Sequence, residues 1–283
     1  MQLADIGLSA ARDASDYIRS QANQKHDLDF KSGLQSLSSQ VVTEIDLKSQ
    51  KLILDKLQES MDYYDLGILS EEMQDNGSRF KKSHFWCIDP LDGTLPFTEQ
   101  QPGYAVTISL INAEGNPIIG IVIDPYHDHQ YVAIKGEGCK YDGKDFQLTL
   151  NNESALICNF DRSFLQASNY DQTIDQLNQV LLKLGLQNLK IVTGPGSVMN
   201  ALGLLNAGYG CYLKLPKANL GGGCIWDFAA TSLIFNELGM EVSDSFGRRL
   251  KLNKKDSLYM NKEGILFATD TKLYNLILQM IRR

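Results

Sequence analysis

Little in this chain of 283 residues suits it to a charged polymer, a bilayer or an oxidising compartment. It lacks a basic excess: 27 Lys and Arg stand against 34 Asp and Glu, a formal net charge of −7. That balance argues against a nucleic-acid polymer or an anionic membrane as the main partner, while bound cations would still let a small anionic substrate approach. No apolar run nears the roughly 20 residues of a membrane-spanning helix. The start, Met1-Gln2-Leu3-Ala4-Asp5-Ile6, has no basic segment followed by an apolar core, so no secretory signal is expected. The cysteines at 87, 139, 158, 211 and 224 include no C-x-x-C pair. They read as small buried hydrophobes in a reducing cytoplasm, not as disulfides or a zinc site. Repeats, low-complexity tracts and flexible linkers are also missing. The rest is an ordinary globular composition, 43% apolar and 22% charged, long enough for one large domain or two closely packed halves.

One stretch stands out, Phe85-Trp86-Cys87-Ile88-Asp89-Pro90-Leu91-Asp92-Gly93-Thr94. The apolar run predicts a buried strand, and Pro90, with no N–H, is expected to stop it. Asp89 and Asp92 then share a loop at a strand's C-terminal edge, where open α/β sheets place their ligands. Gly93 allows close backbone approach, and the N–H groups of Gly93 and Thr94 suit an anion. Two carboxylates this close repel unless a cation or a proton sits between them. A hard divalent ion satisfies that condition, and so does the plainer alternative of an Asp- and Gly-rich turn.

Along the chain, residues 2–24 have the apolar spacing of an amphipathic helix. Residues 25–40 are polar and aperiodic, a loop of functional length. Its Lys31 is either a surface lysine or a group that swings toward a bound phosphate. Thr43 to Asp46 suit the start of a second helix running to about Met61, with Asp46 as a first-turn acid favoured by the helix dipole. Leu66 to Ser70 predict a short strand ending in Glu71-Glu72, a second apolar strand that terminates in paired acids. Residues 79–84 read as a solvated basic connector. Strands over 105–112, 118–124 and 130–134, with no helix between them, imply an antiparallel portion. His127 and His129 lie in a polar turn with no third metal ligand nearby. After Asn151 strands and helices alternate: strands over 155–158, 189–192, 209–215 and 265–268, and helices over 170–184, about ten residues from Ser197, 225 to about 238, and from Thr271. Gly194-Pro195-Gly196-Ser197 is a glycine-rich strand-to-helix turn without the Gly-Lys-Ser/Thr of a P-loop. Gly221-Gly222-Gly223 reads as a flexible lead into Trp226-Asp227, and Asp227 suits a helix N-terminus or a further metal-binding acid.

Taken together, Asp46 in Thr-Glu-Ile-Asp, Glu71-Glu72, Asp89-Pro-Leu-Asp92-Gly93-Thr94 and Trp226-Asp227-Phe-Ala-Ala resemble, in order and spacing, the lithium-sensitive, magnesium-dependent inositol monophosphatase superfamily. The resemblance spans essentially the whole chain. It implies an α+β / α/β fold, a layered α-β-α-β-α sandwich, with an N-terminal α+β half over residues 1–150 and a C-terminal α/β half over 151–283. It implies two to three Mg²⁺ ions, with Li⁺ as an expected inhibitor: one on Glu71, Asp89 and the Leu91 carbonyl, a second on Asp89, Asp92 and Asp227, and a weaker third near Glu71. Gly93 and Thr94 would meet the phosphate, Asp46 and Thr94 would orient the attacking water, and Ser197 and Asp227 would line the substrate pocket. Such a site suits phosphoryl transfer, which needs positioning and charge stabilisation more than a protein nucleophile.

The leaving group is less determined. Leu95-Pro96-Phe97 follows Thr94, where inositol monophosphatases usually have Thr-Asn-Phe and the CysQ type Lys-Glu-Phe/Tyr. Inositol-specific members place an acid seven residues before the metal-binding Asp, and that position here is Leu220. The expectation is a cytoplasmic, homodimeric phosphomonoesterase acting on a small phosphorylated metabolite, foremost inositol monophosphate. A 3'(2'),5'-bisphosphate nucleotidase, a fructose-1,6-bisphosphatase and a non-catalytic relative are the alternatives.

Overall fold

In the computed structural model, which describes residues 2–22, 37–148 and 151–282, the N-terminal periodicity folds as helix α1 (Gln2–Ala22). It buries a side made largely of alanines, Ala4, Ala10, Ala11 and Ala14, with Ile18, and small side chains let it lie close to the sheet beneath. Residues 25–36, with Lys31, lie outside the described residues. Helix α2 (Leu37–Tyr64) begins before Thr43, so Thr43–Asp46 do not cap it and Asp46 sits in its third turn. No Gly or Pro interrupts residues 37–46, and helix propensity carries the helix through them.

The first sheet follows chain order: β1 (Gly67–Ser70), β2 (His84–Asp92), β3 (Ala105–Asn112), β4 (Pro117–Asp124), β5 (His129–Ile134), β6 (Gly138–Tyr141) and β7 (Lys144–Asp145). Strands β1 and β2 pair in parallel, and each later pairing is antiparallel. The short strands β6 and β7 extend the meander beyond the three strands that alternation shows. The second sheet has the order β11-β12-β10-β8-β9, from β8 (Asn151–Phe160), β9 (Asn188–Thr193), β10 (Ala207–Lys214), β11 (Glu241–Ser243) and β12 (Ile265–Ala268). Five more helices follow among the described residues: α3 (Thr94–Thr98), α4 (Tyr170–Leu184), α5 (Ser197–Leu202), α6 (Ile225–Glu237) and α7 (Thr271–Ile281). Helix α5 has six residues instead of about ten, because Gly203 follows Leu202 and glycine propagates a helix poorly.

Three cores define five layers. Helices α1 and α2 cover one face of the first sheet through Ile18, Ile53, Trp86, Ile108 and Ile121. Its other face packs on α5 and α6, which also cover the inner face of the second sheet, through Phe85, Val122, Phe228, Phe235, Tyr212 and Phe267. Helices α4 and α7 close the outer face through Leu177, Leu181, Leu273 and Ile277. The architecture is the α-β-α-β-α sandwich. Residues 225–235 of α6 are all buried, as expected of a middle-layer helix that is apolar on every side. Strand β2 explains its unbroken apolar run in the same way. Phe85 and Cys87 enter one core and Trp86 and Ile88 the other, and each large side chain buried there contributes roughly 1.5–3 kcal/mol. Cys87, Cys139, Cys158 and Cys211 are buried and Cys224 partly so, all as free thiols.

The connector 79–84 is not uniformly solvated. Arg79 is 2% exposed, and its guanidinium meets Asp75 Oδ2 at 2.8 Å, Asn253 Oδ1 at 2.8 Å and the Lys254 carbonyl at 3.0 Å. A buried cation with that many acceptors is a structural clamp. No helix among the described residues is long and apolar enough to cross a membrane.

Candidate active site

Parallel pairing sets the ends of β1 and β2 side by side, with Ser70 opposite Ile88 and the Glu71 N–H donating to the Ile88 carbonyl at 3.2 Å. Glu71 and Asp89 therefore leave neighbouring strand ends together, and their carboxylates lie close enough to share a proton. Strand β2 does not stop at Pro90. It continues to Asp92 through a bulge, with Asp89 opposite Thr107 and Asp92 opposite Ala105. Pro90 cannot donate to the ladder, and Asp89 Oδ1 accepts the Leu91 N–H at 3.0 Å. In a regular strand residues three apart face opposite sides. The extra residue of the bulge turns Asp89 and Asp92 to the same side.

The second half of the chain completes the cluster. Asp92 accepts the N–H groups of Ser197 at 3.1 Å and Val198 at 2.8 Å, so its carboxylate sits on the N-terminus of α5, where the helix dipole favours negative charge. This approach requires Gly196, where a Cβ would lie 2.3 Å from Asp92 Oδ2. Asp227 is the third residue of α6, and its Oδ2 accepts the Cys224 N–H at 3.1 Å in a capping box. Gly223 leads into it with φ +98°, and a Cβ there would lie 2.9 Å from Asp227 Oδ2. The glycine run is thus a set of left-handed turns, at φ +101°, +87° and +98°, and not simply a flexible lead. Carboxylate oxygens of Asp89, Asp92 and Asp227 lie within 4.8 Å of one another.

Electrostatics strains this arrangement. Asp46, Asp89, Asp92 and Asp227 are buried, while Glu71, at the end of β1, is exposed to solvent on one side. Burial pushes Asp46 up to about 8, with Glu72 and Glu71 adding repulsion. Glu71 rises to about 7 through desolvation and then the charge of Asp227. Asp89 and Asp92 are held well above the ordinary carboxylate range by burial and by their acidic neighbours. Asp227 rises only to about 6, because Lys214 opposes its burial. Among the described residues Lys214 is the lysine that acts on Asp92 and Asp227, and a single ammonium does not neutralise five acids. Asp46 Oδ1 is also buried with no hydrogen-bond partner among the described residues. An all-oxygen donor set with excess negative charge and an orphaned carboxylate oxygen fits a hard divalent cation such as Mg²⁺.

The structure brings Glu71, Asp89, Asp92 and Asp227 together, with Leu91 buried between the two aspartates of the bulge and Ser197 beneath Asp92. Gly93 is the left-handed N-cap of α3 at φ 84°, and Thr94 opens that helix at the surface. Among the described residues no hydrogen bond joins Thr94 to Asp46. Leu220 is 70% exposed and contributes nothing to the cluster. The side chain that reaches the site from the end of β10 is Lys214, thirteen residues before Asp227. The Leu215–Gly223 segment lies between them. Lys214 had no local signal as a lone lysine closing an apolar strand, nor did Gly196, whose partner is distant in sequence. His127 and His129 are engaged by Asp124 at 2.7 Å and Asp142 at 2.9 Å, away from the cluster.

A family model described as the inositol monophosphatase family matches residues 1–282. The chain belongs to the inositol monophosphatase family. Members of this Mg²⁺-dependent family hydrolyse phosphomonoesters, and the protein is a phosphatase of that kind. The chain is 27% identical over 245 residues to an inositol-1-monophosphatase of Bacillus subtilis (strain 168), covering 84% of this chain and 83% of the other. It is 27% identical over 191 residues to a 3'(2'),5'-bisphosphate nucleotidase CysQ of Aggregatibacter actinomycetemcomitans, covering 65% and 64%. In three dimensions it resembles inositol monophosphatase II of Staphylococcus aureus MSSA476, with a TM-score of 0.75 at 20% identity, covering 98% and 94% of the two chains. Relatives within the family therefore differ in the substrate they are named for.

Proposed function

We propose that the protein hydrolyses a small phosphorylated metabolite with two to three Mg²⁺ ions, held by Glu71, Asp89, the Leu91 carbonyl, Asp92 and Asp227. The single observation that carries this is the convergence of the Asp89, Asp92 and Asp227 carboxylates within 4.8 Å. When bound, the ions supply the positive charge that neutralises phosphoryl oxygens and lowers the pKa of a water.

The remaining roles belong to the chain. The first N–H groups of α3 have no intrahelical partner, and with Gly93 they receive the phosphate. The Thr94 hydroxyl accepts from the attacking water and passes a proton toward Asp46. Asp46 suits that task, since its Oδ1 has no hydrogen-bond partner among the described residues. Asp92, locked on α5, and Ser197 beside it hold the substrate's side of the cleft, where the halves 1–150 and 151–283 face each other. As the family resemblance suggests, the working unit is a cytoplasmic homodimer and Li⁺ inhibits it.

For the leaving alcohol, inositol 1-phosphate is the first substrate to test. Phosphate release is measured from inositol 1-phosphate, 3'-phosphoadenosine 5'-phosphate and fructose 1,6-bisphosphate, with Mg²⁺, with chelator and with Li⁺. Mg²⁺-dependent release from at least one supports the reading. No release from any, in a folded protein that binds Mg²⁺, favours a non-catalytic relative.

A further inference from the structure

Strands β6 and β7 carry the first sheet past helix α1 and leave a cavity of about 310 Å³ between that helix and β5–β6. It lies on the face of the sheet opposite α5 and α6, and no residue that lines it belongs to the acid cluster. Its floor is apolar. Leu8 comes from α1, and Val132 and Ile134, two apart on β5, share one face of the strand. All three are half-buried and pack against the core beneath α1.

The charges around this floor are sorted by sign. Arg12 Nε donates to Gln130 Oε1 at 2.8 Å, and Arg19 pairs with Asp128 at 2.6 Å, so α1 runs antiparallel to β5. Asp5, two helical turns before Arg12, therefore lies about 10 Å from it along the helix axis, toward the Ile134 end. Glu137 is held at that same end, since its N–H donates to the Ile134 carbonyl at 2.9 Å. Lys140 stands opposite Val132 on β6 and adds a second cation. Among the described residues Asp5, Glu137 and Lys140 enter no ion pair, and Arg12 commits only its Nε, to Gln130. The cavity thus has acids at one end, a guanidinium at the other and an apolar floor between them.

We propose that this cavity binds a small linear ω-amino carboxylate. Its ammonium sits between Asp5 and Glu137, its methylene chain lies on Leu8, Val132 and Ile134, and its carboxylate meets the Nη groups of Arg12 with Lys140 alongside. Simpler ligands fit the charge pattern less well. A wholly apolar molecule would cover charged groups without pairing them. A fatty acid would pair with Arg12 and leave the acids unpaired, and an alkylamine would do the reverse. An α-amino acid carries both charges on one carbon and cannot reach both ends. Each charged end gains a charge-assisted hydrogen bond, worth roughly tenfold or more in affinity. The inference is independent of the phosphatase reading, because none of these residues is a metal-ligand candidate.

The test is calorimetric titration of the full chain with 6-aminohexanoate, in Mg²⁺ and excess inorganic phosphate so that the carboxylate does not report on the acid cluster. Hexanoate and 1-aminohexane keep the chain and lose one charge each, and glycine keeps both charges and loses the chain. 6-Aminohexanoate is expected to bind at least about tenfold more tightly than any of the three. D5N/E137Q should cut its affinity at least about tenfold and leave hexanoate binding no weaker. R12Q/K140Q should cut it by a similar factor and leave 1-aminohexane binding no weaker. No saturable binding of 6-aminohexanoate, an affinity no better than that of hexanoate or 1-aminohexane, or an affinity unmoved in either double variant overturns the proposal. Phosphate release by the same preparations tests the phosphatase reading separately. Thermal melts identify a misfolded variant, and the wild-type comparison of the four compounds then decides alone.

Discussion

Asp92 Oδ2 accepts the backbone N–H of Val198 at 2.8 Å across 106 positions of sequence. This bond joins the bulged end of β2 to the first turn of α5, so one metal-ligand candidate depends on how the two halves of the chain pack. It also makes a glycine far from any acid in sequence part of the site's geometry.

Gly196→Ala tests that dependence. Its new Cβ would fall 2.3 Å from Asp92 Oδ2 and 2.7 Å from the Gly93 Cα, and neither is the free end of a flexible side chain. The variant is expected to lose about 1–3 kcal/mol of stability, as overpacked sites do, and at least about tenfold in kcat, since small misplacements are costly. Chemical denaturation and phosphate-release kinetics read the two effects. Wild-type kcat would show that Asp92 need not rest on α5.

Asp89→Asn and Asp227→Asn should separate catalysis from stability. Each removes one charge from a crowded buried cluster, so turnover should fall by about a hundredfold or more as a metal ligand is lost. In chelator the melting temperature should stay level or rise, because like-charge repulsion is relieved. Near-wild-type turnover in either variant with Mg²⁺ would remove that residue from the ligand set.

Stability should respond to pH in opposite ways with and without metal. Asp46 at about 8 and Asp227 at about 6 are raised above their unfolded values, so the folded metal-free protein holds protons that the unfolded chain has released. That stabilisation is complete below about pH 4 and is lost as pH rises through about 6–8. In chelator, Tm should therefore fall between about pH 5.5 and about pH 8.5. Mg²⁺ should restore most of the loss at the upper end and release protons on binding. A Tm in chelator that climbs over this range would mean that these acids are charged in the metal-free fold.

Arg79→Ala is expected to cost about 3 kcal/mol or more, because a buried cation with bonds to Asp75, Asn253 and the Lys254 carbonyl leaves its partners unpaired. Arg79→Met should cost less, since it fills the volume. Both should keep wild-type kcat per folded molecule, the clamp being separate from the acid cluster. Equal losses of kcat and stability would tie the clamp to catalysis.

Much of the fold was legible because local and global preferences agree. The boundaries of α4 and β3 follow directly from periodicity, and the doubly buried β2 shows as an unbroken apolar run. The chemistry was legible where acids are consecutive with strand ends, at Glu71 and at Asp89 and Asp92. Misreadings fell where a distant partner overrides the local signal. Pro90 suggests a strand end, yet the pairing of Asp92 with Ala105 resumes the ladder. Arg79 reads as a surface cation until residues 253–254 reach it.

The order and spacing of the acid-bearing motifs were enough, without any coordinates, to show the resemblance to a family of Mg²⁺-dependent phosphatases and hence to imply its layered α-β-α-β-α fold. Glu71, Asp92 and Asp227 sit at or beside strand and helix ends, which local sequence marks. Only the tertiary structure decided that Asp92 rests on α5 over Gly196, that Arg79 is buried, and that Lys214 borders the cleft beside Asp161 and Ser197. Each of these is a contact between segments tens to more than a hundred residues apart, and its energy comes from desolvated partners that no local pattern encodes.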